Sequence, residues 1–120
     1  MGDDMGNIEA RLEKAVAHKI VGEYDDAVVL LKSVLSDAPD NPQAHHQLGL
    51  VYGFTGLFDE SMEELDVAAS LDPTSVPILI DLGMTLSMLG EVERAIPIFE
   101  RVLEFDPANE KAINNLKFLR

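Results

Sequence analysis

Apolar residues recur along this chain at spacings of three and four, the period of a helix with one buried face. Between positions 25 and 36 one such stripe runs through Ala27, Leu30, Leu31, Val34 and Leu35, preceded by Asp25 and Asp26 and interrupted by Lys32. The punctuation between such stripes is chemically specific. Gly22, Gly56 and Gly90 offer left-handed backbone where a helix stops, and Pro39, Pro73 and Pro107 push the residue before them out of helical geometry. The pattern predicts helices over 7–21, 25–36, 42–55, 59–70 and 92–104, one between a Thr74 or Ser75 cap and Gly90, and a last one over 110–119. Asn7, Asp40 or Asn41, and Asn109 are the other expected caps, with Pro42 and Pro77 in first turns where a missing N–H is harmless. Pro97 falls early in its helix and forfeits one hydrogen bond there.

The punctuators keep a fixed phase of 34 residues, and so do their neighbours: Tyr24, Phe58 and Val92, then Ala27, Ser61 and Ala95. A period of this length marks an internal repeat, each unit too small to bury its apolar face alone. Leu48-Gly49-Leu50-Val51-Tyr52, then Gly56-x-Phe58, then Ala68-Ala69-x-Leu71-Asp72-Pro73 resembles the tetratricopeptide repeat. The copy from Leu82-Gly83 through Ala95, Phe99 and Leu103-x-Phe105-Asp106-Pro107 matches about as well. The first copy is weaker, with Lys14-Ala15 in place of Leu-Gly and His18 where an aromatic is usual. The resemblance covers roughly residues 8–120 and implies an all-α fold: a right-handed superhelical solenoid of antiparallel helix pairs, seven helices in all. Its divisions are a flexible 1–7, repeats at 8–41, 42–75 and 76–109, and a capping helix at 110–120, as one domain.

In such an array the first helix of each pair faces inward. For the third repeat, the side given to packing holds Leu79, Leu82, Gly83, Leu86 and Leu89, with Gly83 admitting a close neighbour. The strip left open then reads Leu12, Val16, Lys19 and Ile20; His46, Gln47, Leu50 and Phe54; Ile80, Asp81, Met84 and Met88; and Asn114 and Phe118. A solvated face should be mostly polar, whereas this one is mostly apolar, which marks an interaction surface. A one-residue error of phase would instead make Ile80 and Met84 ordinary core. The expected occupant is an apolar or amphipathic segment of a partner protein, helical or extended, with basic flanks to suit the acidic rim of Glu9, Glu13 and Asp81. The alternatives are a homodimer through the same strip or an open end, and a module of a larger assembly.

Charge sharpens this reading. The chain carries 22 acids against 9 bases, net −13, which repels phosphate backbones and anionic lipid and argues against nucleic acid and membrane partners. With no cysteine there is neither a disulfide framework nor thiolate chemistry. The N-terminal MGDDMGNIEA has neither the basic start nor the apolar run of a signal peptide, so a cytoplasmic protein is expected.

No cofactor, metal site or catalytic group is expected. His45 and His46 are adjacent on one helix and so point about 100° apart, while His18 and His45 occupy packing positions of the repeat. The acidic run Asp59-Glu60-x-x-Glu63-Glu64-x-Asp66 lacks the glycine-centred calcium loop and reads as a solvated face. Some members of the resembled family hold the acidic C-terminus of heat-shock chaperones with Lys and Asn. The matching positions here are Leu12, Val16, Gln47, Pro77 and Asp81, which excludes that mechanism.

Overall fold

Three helices of this chain begin on a side chain that replaces a missing backbone partner. The Ala44 N–H donates to Asn41 Oδ1 at 2.9 Å, the Ile78 N–H to Ser75 Oγ at 3.4 Å, and the Ala112 N–H to Asn109 Oδ1 at 2.9 Å. Between these starts the chain turns back at Gly22, Gly56 and Gly90, whose φ values of 82°, 83° and 82° suit only glycine without strain. One residue later the N–H groups of Glu23, Leu57 and Glu91 reach back to His18, Tyr52 and Leu86 carbonyls at 2.8–2.9 Å, closing each helix end.

The computed structural model describes residues 4–120, with side chains described from Asn7 onward. Seven α-helices and no strand occur among the described residues: α1 (Asp4–Ile20), α2 (Tyr24–Asp37), α3 (Pro42–Phe54), α4 (Phe58–Leu71), α5 (Val76–Met88), α6 (Val92–Phe105) and α7 (Glu110–Leu119). The first helix starts at Asp4, not at Asn7; Asn7 lies inside it and its carbonyl accepts from Arg11 Nε at 3.3 Å. The segment expected to be flexible, 1–7, is therefore helical from Asp4 onward, and its first three residues lie outside the described ones.

Two compact units divide at Leu71/Asp72, the junction between the second and third helix pairs. In the first, α1 packs on α2, α3 on α4, and α2 on α3. Ala15, Ala27, Leu31, Val34, Ala44, Leu48 and Val51 form its buried centre, and Ile8, Leu12 and Tyr24 pack partly against it. Arg11 fastens the outer side of this pair, with Nη1 donating to Ser33 Oγ at 3.0 Å and Nη2 to Asp37 Oδ2 at 2.7 Å. The second unit packs α5 on α6 and α6 on α7 around Leu79, Leu82, Leu86, Phe99, Val102 and Leu116. Leu89, expected in that core, is exposed because it caps α5 at the turn.

Two glycines set how closely paired helices approach. A Cβ on Gly83 would lie 2.8 Å from Phe99 Cζ, and one on Gly49 2.9 Å from Leu65 Cγ. Both rings of contact are buried, so the absent methyl is what lets each aromatic or leucine fill the space between its helices.

Candidate functional site

Each unit leaves part of its first helices open, and the composition there is mixed. In the first unit, Leu12, Glu13 and Val16 of α1 and Gln43 and Gln47 of α3 line a cavity of about 330 Å3. Leu12 and Val16 are half-buried, as is Leu50 on the following turn of α3. Lys19 Nζ donates to Gln47 Oε1 at 2.7 Å, tying the end of α1 to α3 across the same face. Ile20 and Phe54, at the ends of these two helices, are exposed.

In the second unit, a cavity of about 590 Å3 lies between the start of α5 and the α6–α7 connection. Asp81, Asp106 and Glu110 line it with one cation, Lys111, and Pro77 and Val76 supply apolar wall. Further along α5, Met84 and Met88 are exposed. Phe118 on α7 is 87% exposed while Ala112 and Leu116 of the same helix are buried, the split its helical phase predicts. Asn114 is exposed as well.

Two residues of the expected strip have little surface, although Ile80 still lines the cavity of the second unit. His46 and Ile80 are both 5% exposed. His46 sits on α3, which has α1, α2 and α4 against it within the unit, and Ile80 sits on α5, which has α6 and α7. A helix flanked on both sides buries a wider arc than one seen against a single neighbour. Their counterpart Leu12, on α1, stays half-buried. Gln43, which lines the first cavity, escaped the sequence reading, although it stands at the phase of Pro77, 34 residues on. Val21, Tyr24, Leu57 and Phe58, at the turns of the first unit, also escaped it; their signal was four large apolar residues beside the turn glycines.

The histidines at the packing positions are held by polar partners. His45 Nδ1 lies 2.7 Å from Glu64 Oε1 and its Nε2 2.8 Å from the Pro39 carbonyl oxygen, so the ring bridges α3, α4 and the preceding turn. His18 Nδ1 lies 2.8 Å from Glu23 Oε1. The turn at Gly22 brings Asp26 to the same place, and the ligand atoms of the three all fall within 4.8 Å of one another. That convergence leaves no mark on the order of residues along the chain. Two of the three groups are exposed carboxylates and the ring nitrogen already faces one of them, an ion-pair geometry.

The open residues are thus apolar, acidic or amide in the main, with Lys19 beside them in the first unit and Lys111 in the second. No described helix is long and apolar enough to cross a membrane.

Comparison with known proteins agrees with this architecture. Two family models described as tetratricopeptide repeat match residues 20–69 and 76–109. A CTR9 homolog of Arabidopsis thaliana is 36% identical over 94 residues, which is 77% of this chain and 8% of that protein. The chain spans less than a fifth of the length of the curated relatives it matches. Among solved structures, an O-GlcNAc transferase mutant of Thermobaculum terrenum superimposes with a TM-score of 0.88 at 31% identity, over 99% of this chain and 23% of that one. The first tetratricopeptide domain of Spaghetti (RPAP3), bound to the HSP90 peptide SRMEEVD, also superimposes with a TM-score of 0.88, at 24% identity over 95% of this chain and 90% of that one. The fold is an all-α helical-repeat solenoid, and the chain belongs to the tetratricopeptide repeat family.

Proposed function

We propose that this chain is a non-catalytic interaction module that holds an apolar or amphipathic segment of a partner protein against the first helices of its pairs. One observation carries the reading. Met84 and Met88 of the second unit lie exposed on α5, and Leu12, Val16 and Leu50 of the first keep part of their surface open, although Leu12 also packs on the core. Exposed thioether and half-open aliphatic side chains suit a docking face, and methionine adapts to differently shaped ligands. Four ligand side chains fully buried at about 3 kcal/mol each, less an association cost of about 4 kcal/mol, set a micromolar upper limit on affinity, about −8 kcal/mol.

The partner's charge follows from the rim. Glu13 borders the first cavity, and Asp81, Asp106 and Glu110 border the second. Basic residues flanking the apolar segment complement them, and an acidic chain terminus is repelled. The RPAP3 domain is bound to an acidic HSP90 peptide, but the positions that would hold such a terminus are Leu12, Val16, Gln47, Pro77 and Asp81 here, which favours a different ligand.

The test uses a short helical peptide with leucines spaced three and four apart and a lysine pair at each end. Amide NMR should report saturable shifts at Leu12, Val16, Met84 and Met88 with micromolar affinity in the intact chain, and their loss in Leu50→Glu and in Met84→Glu, with helical circular dichroism unchanged. Shifts at these residues that survive both substitutions remove the proposal.

Self-association is the second reading, favoured by the near-complete exposure of Phe118. The net charge of −13 opposes it. Light scattering across a dilution series separates the two: a dimer abolished by Phe118→Ala supports self-assembly, and a monomer supports the module.

A further inference from the structure

The turns of the first unit carry an apolar edge that the core does not use. Ile20 and Val21 at the end of α1, Phe54 at the end of α3, and Leu57 and Phe58 at the α3–α4 turn are between 39 and 73% exposed. Tyr24, the first residue of α2, stacks on Phe54 with ring centroids 5.9 Å apart and planes at 29°. That stack joins the two turns into one surface.

Packing does not explain Leu57 or Val21, whereas the place of Tyr24 and Phe58 is apolar in every repeat and Tyr24 packs partly on the core. Leu57 has Glu23 and Glu91 at the matching phase of the other pairs, and Val21 has Thr55 and Leu89. The repeat therefore folds with a charge at the first place and a hydroxyl at the second. Exposed apolar residues that the fold does not demand, gathered on one edge, mark a docking surface.

The charge around the edge selects its occupant. Residues 52–58 contain no charged side chain, but the edge is bracketed by Glu23, Asp25 and Asp26 at the start of α2 and by Asp59 and Glu60 at the start of α4, all exposed. No lysine or arginine occurs anywhere from residue 33 to residue 93. A second copy of this chain would bring the same five carboxylates against them, and an anionic membrane would be repelled in the same way.

We infer that this turn edge is a second docking surface of the first unit, built to take an amphipathic partner helix whose apolar ridge covers Val21, Tyr24, Phe54 and Leu57 and whose lysine or arginine flanks meet the two acidic helix starts. It shares Phe54 and Ile20 with the strip expected from sequence, but it does not depend on the Leu12–Leu50 face binding anything.

The experiment is an amide NMR titration of the intact chain with the lysine-flanked leucine peptide, repeated on Leu57→Glu with Val21→Ser, on Leu50→Glu, and with a peptide whose lysines are glutamates. Leu57→Glu and Val21→Ser install residue types that the other repeats tolerate at or near these places, so the fold is retained. The expected result is saturable shifts at residues 20–24 and 54–60 that persist in Leu50→Glu. Affinity at those residues should fall about tenfold or more in the double variant, and the glutamate peptide should produce no shifts there. Absence of shifts at the edge at saturating peptide overturns the proposal. So do equal binding by the double variant and equal binding of the glutamate peptide. A dimer that dissociates only in the double variant replaces the partner helix with a second copy. Failure of the groove alone would show as edge shifts without shifts at Leu12, Val16 and Leu50.

Discussion

Gly83→Ala tests the closest helix approach in the second unit. The new methyl carbon would stand 2.8, 2.9 and 3.1 Å from Phe99 Cζ, Cε1 and Cε2, inside any ordinary carbon–carbon contact. Phe99 has no exposed surface, so its ring has nowhere to retreat without moving α6. Overpacking of this kind costs about 1–3 kcal/mol. Replacing glycine by alanine inside a helix returns about 1 kcal/mol. The net expectation is a loss of up to about 2 kcal/mol, or a urea midpoint lowered by up to about 1 M, read by circular dichroism. Phe99→Leu destabilises on its own by leaving a void, but it also removes the ring edge that the methyl strikes. In that background Gly83→Ala should stabilise, giving a coupling of at least about 1 kcal/mol in a double-mutant cycle. Equal destabilisation by Gly83→Ala in both backgrounds would refute the reasoning, because the clash with Phe99 would then not be its cause.

Other substitutions are expected to separate residues that look alike in sequence. Arg11→Ala should cost about 1–2 kcal/mol, since Arg11 is largely buried and bonds both Ser33 and Asp37, while Arg120→Ala at the exposed Glu100 pair should cost less than about 0.5 kcal/mol in the same urea assay. Asn41→Ala and Asn109→Ala each remove a side-chain cap and should lower stability by about 1 kcal/mol by thermal denaturation. A peptide ending in Glu-Glu-Val-Asp should show no saturable binding by anisotropy, and saturation would reopen the carboxylate-terminus mechanism that Leu12, Val16 and Asp81 argue against.

The fold was legible because its signals are local and repeated. Asn41-Pro42, Ser75 and Asn109 cap three helices, and the three turn glycines adopt positive φ, as their chemistry requires. Asn7 misled because a capping residue is equally acceptable inside a first turn, and nothing in the sequence stops the helix from reaching back to Asp4. The site was legible in part. Phe118, Met84 and Met88 lie open as their helical phase indicates, but His46 and Ile80 do not. Phase gives the direction of a side chain, whereas burial also depends on what packs around it, and that is a tertiary fact. The convergence of His18, Glu23 and Asp26, and the apolar edge around the Tyr24–Phe54 stack, join residues across a turn or between helices, beyond the reach of a single helix projection.

Methionine methyl groups give the most direct test of peptide binding on the inward helices. Met84 and Met88 lie exposed on α5, while Met62 is buried in α4 and serves as the internal reference. On titration of a methyl-labelled chain with the lysine-flanked leucine peptide, the Met84 and Met88 resonances should move and saturate while Met62 stays in place. Unmoved Met84 and Met88 resonances at saturating peptide, or a Met62 shift as large as theirs, would contradict the account.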